Sequence, residues 1–253
     1  MNILWEITES DIEDVREFCK EQYNPFLQNR INRNVNRNNI QINRDIIIKT
    51  MLMCLLDSQP ESDLDSSIEN FFREKPFILS HQFLLQEPDI ENRVRELLNI
   101  NGLERYSEKI PKYFSYNFYH LEVTNWALLT KLYNSLRNDS TKHLERELAD
   151  SIDHMFKGFG SKQARDFLQV LGLSKYEIPI GTRTMKWMKE FGFPVSFSRI
   201  ALQDKSFYHF ISDGIQLLCE KAHIYPCELD AAIFSSFVED ICPENYIICE
   251  SLK

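Results

Sequence analysis

Glycine is scarce in this chain, with seven in 253 residues, and so few freely turning positions argue against a turn-rich β-fold. No stretch approaches the roughly 18 apolar residues a membrane-crossing helix needs. The N-terminus, MNILWEITESD, has neither the basic flank nor the apolar run of an export signal. These absences predict a soluble, cytoplasmic protein (nucleoid-associated if the chain is prokaryotic) with no membrane partner. No two cysteines have CxxC spacing. Cys19, Cys54, Cys219, Cys227, Cys242 and Cys249 are expected to be free thiols, and the last four, with 7, 14 and 6 residues between them, to hold no iron–sulfur cluster. There is no HExxH, phosphate-binding P-loop or GxSxG, and the six histidines are dispersed without ligand spacing, so neither a metal nor a cofactor is expected.

What is present is an ordinary globular composition, 43% hydrophobic and 26% charged, on a chain long enough to bury a substantial core. The net charge of −9 is unevenly spread. Lys157 to Lys189 carries seven Lys/Arg against two Asp/Glu, a local +5, whereas Asp213 to the C-terminus carries −6. A basic face on an acidic body can still attract an anionic partner, although the same segment read by charge alone is also compatible with a plain solvated surface.

The recurring pattern is helical. Thr8 with Asp11 has the form of an N-cap signature ahead of Ile12, Val15, Phe18 and Cys19 on one face. A nearly continuous apolar helix is predicted over Ile46–Leu56, with amphipathic segments near 64–73, 90–99, 121–136, 142–156, 161–172, 182–191, 206–222 and 228–238. Prolines 60, 76, 88, 111, 179, 194 and 226 fall between them. The Asn/Arg-biased stretch Gln28–Arg44 reads as a mobile loop, a nucleic-acid contact or, on composition, a surface connector. Apart from a short candidate near the N-terminus there is no strand signal. The fold class is therefore all-α.

The most informative stretch is Phe156 to Trp187. Leu144, Leu148, Ile152 and Phe156 make one apolar stripe; Gly158 and Gly160 bracket Phe159; Ala164, Phe167, Leu168 and Leu171 form the next stripe, and Gly172 is placed to stop it. This is helix, tight turn, helix, about 142–173. Two glycines let the backbone approach a phosphate closely, and the second helix would turn its free N–H groups and positive dipole end toward it. Taken alone, Gly-x-Gly between helices is equally compatible with a compact corner.

The wider context resembles the helix-hairpin-helix DNA glycosylases, in particular the 8-oxoguanine-type glycosylase/lyases. The residues that carry the likeness are Lys157-Gly158-Phe159-Gly160-Ser161-Lys162-Gln163-Ala164, followed by Ile178-Pro179-Ile180-Gly181-Thr182-Arg183. It is strong over roughly 50 residues and weaker elsewhere, through Cys54-Leu55-Leu56-Asp57-Ser58-Gln59 and Asp230-Ala231-Ala232-Ile233-Phe234-Ser235. The resemblance implies one unit spanning 1–253, built of two interleaved helical lobes, acting as a monomer on duplex DNA. It implies Gly158, Phe159, Gly160 and Ser161 as the DNA-binding hairpin. Lys162 would be the nucleophile that attacks the sugar C1′ and forms a Schiff base.

The same resemblance exposes a departure. Gly181 stands 19 positions after Lys162, where the family places an aspartate that stabilises positive charge on the sugar. Glycine cannot substitute. Asp166, Glu177 and Thr182 are nearby in sequence, and Asp166 lies one turn beyond Lys162. For the extruded base, Asp230 and Phe234 occupy the matching pocket positions, although a core phenylalanine and a helix-start carboxylate would look the same. Gln59 follows the buried helix where relatives line the pocket. Three functions follow: a DNA glycosylase with AP-lyase chemistry on an oxidised purine, impaired or not; a non-catalytic protein using the same hairpin to bind damaged or bent DNA; and a helical interaction module.

Overall fold

The computed structural model describes residues 4–38, 40, 42–56, 66–73, 77–136 and 140–237. Its helices are α1 (Glu9–Glu21), α2 (Pro25–Arg30), α3 (Arg44–Leu56), α4 (Ser66–Arg73), α5 (His81–Gln86), α6 (Ile90–Ile100), α7 (Ile110–Val123), α8 (Ala127–Leu136), α9 (Lys142–Met155), α10 (Ser161–Val170), α11 (Thr182–Phe191), α12 (Lys205–Ala222) and α13 (Pro226–Ser236). Among the described residues there is no strand, and no helix is long and apolar enough to cross a membrane. The all-α reading holds.

Local chemistry sets several of these boundaries. Thr8 and Asp11 make a capping box: the Asp11 N–H donates to Thr8 Oγ1 at 3.3 Å, and the Thr8 N–H to Asp11 Oδ2 at 2.8 Å. The prolines at 111 and 226 sit in the first turns of α7 and α13, where a missing N–H costs nothing, rather than between helices.

Two main apolar clusters organise the packing. The first gathers α3 to α10 around α3, whose residues are buried on all sides from Ile46 to Leu52 and again from Cys54 to Leu56. The second joins the two ends of the chain: Ile12, Val15 and Cys19 of α1 pack with Trp187 and Met188 of α11, Tyr208, Ile211 and Ile215 of α12, and Leu229 and Ile233 of α13. The hairpin α9–α10 belongs to the first cluster. The segment after it, through Ile178 and Ile180, crosses into the second.

Two further sequence readings are corrected. The 121–136 segment is not one helix: Asn125 and Trp126 adopt left-handed backbone angles, φ 47° and 57°, while the Trp126 N–H bonds to Leu121 O and its indole N–H donates to Glu122 Oε1 at 2.7 Å. Burying Trp126 forces the break between α7 and α8. The Gln28–Arg44 stretch is not a surface connector throughout. Asn24 caps α2, which runs on into a π-helical turn at Ile31–Val35. Arg30 and Asn34 are buried, and the Asn34 amide donates to Gln169 O at 2.8 Å and Ser174 O at 2.7 Å. The polar composition hides an internal strut.

Candidate active site

The hairpin rests on its own aromatic base. Phe159, partly buried, packs edge-on to Phe156 and Phe167, with centroids 5.2 and 5.9 Å away. Gly158 has φ +81°, and a Cβ there would lie 2.4 Å from Tyr113 Cδ2; the turn requires glycine twice over. Buried Asn117 holds Lys157 by both backbone groups, accepting from its N–H at 2.8 Å and donating to its carbonyl at 3.0 Å. Gly160 opens α10 in extended geometry, its N–H donated to Gln163 Oε1 at 3.2 Å. Ser161 Oγ donates to Asp153 Oδ2 at 3.0 Å, tying the start of α10 back to α9. The remaining first-turn N–H groups of α10 have no acceptor within the helix.

Lys162 follows in that first turn, 27% exposed, with Nζ 2.8 Å from Asp166 Oδ2. Gly181 is the N-cap of α11, with φ −111° and ψ −166°, backbone angles open to any residue. A Cβ on Gly181 would lie 2.7 Å from Lys162 Cε and 4.0 Å from its Nζ. The two positions singled out by sequence, 19 residues apart, therefore touch.

A buried polar network, not foreseen in the sequence, fixes this juxtaposition. Arg165 and Glu177 are both fully buried and paired at 2.7 Å. Glu177 also accepts from Arg146 at 3.1 Å and Gln216 at 2.8 Å. Arg165 reaches Asp150 at 3.1 Å and lies 4.6 Å from the Tyr208 ring centroid. Burial opposes its charge, but Glu177 first, with Tyr208 and Asp150, holds the guanidinium above its ordinary value. The Tyr208 hydroxyl accepts from the Ile180 N–H at 2.8 Å and donates to Ile178 O at 2.9 Å. Glu145 accepts from the N–H groups of Lys175, Tyr176 and Glu177. The loop ending at Gly181 is thus pinned to the helix that carries Lys162. Arg165 is neutralised inside the fold, which subtracts one cation from the basic segment, and Glu177, consumed in the network, is not available as a substitute carboxylate.

The late-helix pair lies beside this. Asp230, on α13, is 17% exposed and pairs with buried Arg30 at 3.0 Å; Arg30 also donates to Gln169 Oε1. Burial raises the Asp230 carboxyl above its usual range, against the pull of Arg30, Lys162 and Arg183. Phe234, one turn on, is half-buried between Phe26, 5.2 Å away by centroid, and the Arg183 guanidinium, 5.0 Å from its ring. Gln59 lies outside the described residues. Among the described residues no group of His, Cys, Asp or Glu is arranged to hold a metal ion.

No protein-family model matches the chain, and no curated relative does. A solved structure does: the 8-oxoguanine DNA glycosylase of Methanocaldococcus jannaschii, at 14% identity and a TM-score of 0.58, over 91% of this chain and 94% of that one. At that identity the likeness is one of architecture, and it covers nearly the whole of both molecules: this chain shares the all-α fold of that glycosylase.

Proposed function

We propose that the protein is a DNA repair N-glycosylase with AP-lyase chemistry, acting on a flipped oxidised purine in duplex DNA. The observation that carries this reading is the contact between Lys162 and the N-cap of α11 at Gly181, on a fold shared with an 8-oxoguanine DNA glycosylase. A primary amine at a helix start, against a second helix start, is suited to attack an electron-poor sugar carbon. In this reading the Gly158–Ser161 hairpin grips the phosphates, Asp230 and Phe234 border the base pocket, and Lys162 attacks C1′ between two helical lobes.

The glycine at 181 favours a second reading, a protein that binds damaged or bent DNA with the same hairpin and does not cut. Incubation with duplexes containing 8-oxoguanine or an abasic site, followed by borohydride, separates the two. A trapped covalent complex supports the enzyme; salt-sensitive binding without one supports the binding protein.

A further inference from the structure

We infer that Asp166 supplies the carboxylate function that position 181 lacks, taking the proton from Lys162 as its nitrogen attacks; this rests on the glycosylase/lyase reading above. Among the described residues, the other candidates near in sequence are engaged elsewhere or lack the group. Glu177 is enclosed by Arg165, Arg146 and Gln216, Asp230 is engaged by Arg30, and Thr182 has no carboxylate. Asp166 Oδ2 lies 2.8 Å from the amine itself, and both side chains are about one-quarter exposed, 23% and 27%.

The order of the pair also speaks against a mere helix staple. On an α-helix the stabilising order puts the acid toward the N-terminus and the base four residues later, in keeping with the dipole. Here the base comes first, at the second residue of α10, and the acid follows. Lys162 meets the positive end of the helix dipole in the first turn, so the pair adds less to the helix than the opposite order would.

The step balances as follows. A proton passes from Lys162 Nζ to the Asp166 carboxylate; the freed nitrogen pair forms the bond to C1′; the C1′–N bond to the base breaks, its electrons leaving with the base. The base then takes up the proton from Asp166.

The test uses the full chain, a duplex with an 8-oxoguanine lesion and borohydride trapping under single-turnover conditions. Asp166→Asn is near-isosteric and should lower the trapping rate by about 100-fold or more, with duplex affinity and melting temperature held. Gly181→Asp should raise the rate by a larger factor in the Asp166→Asn background than in the wild type, because there it returns the carboxylate the amine has lost; a purely structural role for Asp166 predicts the same factor in both. Undiminished trapping by Asp166→Asn overturns the inference and leaves the glycosylase reading intact. A wild type that binds but does not trap, while Gly181→Asp alone traps, overturns the inference and favours the binding-protein reading. If neither traps, the inference and the lyase reading fall together.

Discussion

The Lys162 side chain occupies the space into which a side chain at Gly181 would project: a Cβ there would lie 2.7 Å from Lys162 Cε. The nearest atoms belong to the far part of a flexible side chain, so a substitution displaces the lysine rather than the backbone. Gly181→Asp should therefore fold normally, with a gain at the helix start because aspartate caps better than glycine. It should raise base release by at least about tenfold, since a preorganised carboxylate stabilises developing cationic charge. Single-turnover kinetics check this. A variant that folds, binds lesion DNA and stays inert would favour the binding-protein reading.

The hairpin separates structure from binding. A Cβ on Gly160 would meet only Gln163 Oε1, at an ordinary 3.4 Å, and the extended backbone there suits valine. Gly160→Val should cost about 1 kcal/mol or less in stability yet weaken binding to all duplexes alike, because phosphate contacts carry no sequence information. Titrations with damaged and undamaged duplexes measure it. Loss of lesion preference with unchanged affinity for plain DNA would rule out the phosphate clamp.

Arg165 and Glu177 test the buried network. Arg165→Met strips a fully buried carboxylate of its 2.7 Å partner and should cost about 3–5 kcal/mol. Arg165→Met/Glu177→Leu should regain part of that loss, because the buried carboxylate, left with Arg146 and Gln216 as partners, is removed as well. Urea denaturation midpoints decide. A double variant less stable than Arg165→Met alone would show that the pair is not the unit that matters.

Asp150 should leave a mark in the acid range. Burial works against its charge, but Arg165 and then His209 hold its carboxyl below the ordinary value. A depressed folded-state value means that Asp150 stabilises the fold above the unfolded value of about 3.9 and that this contribution fades as pH falls through the lower, folded one. The stability gap between wild type and Asp150→Asn should close as pH falls below about 4. A gap that widens below about 4 would have the wrong sign.

How much of this could be read in the sequence depends on the range of the interaction. The Thr8 cap, the nearly all-buried Ile46–Leu56 stretch of α3, the hairpin stripes and α11 at Thr182–Phe191 follow from local spacing and capping, and they stand where the pattern put them. The π-helical turn at Ile31–Val35 did not, because Arg30 and Asn34 are buried by partners more than 130 residues away, at Gln169, Ser174 and Asp230. The break at Asn125–Trp126 depends on where an indole ring can be buried, which periodicity does not report. The pairing of Lys162 with Asp166 was legible in their i, i+4 spacing; the approach of Lys162 to Gly181 and the enclosure of Glu177 could come only from three-dimensional packing.

The most direct test of the central claim is to trap the wild-type protein with borohydride on a duplex carrying an abasic site, beside Lys162→Gln. The substitution preserves much of the side chain's length and its polarity but removes the nucleophile. A covalent complex with the wild type, its added mass on the peptide containing Lys162, and none with Lys162→Gln at an affinity within a few-fold, is the predicted result. Trapping that is unchanged in Lys162→Gln, or a wild type that binds the duplex tightly and forms no covalent complex, would contradict it.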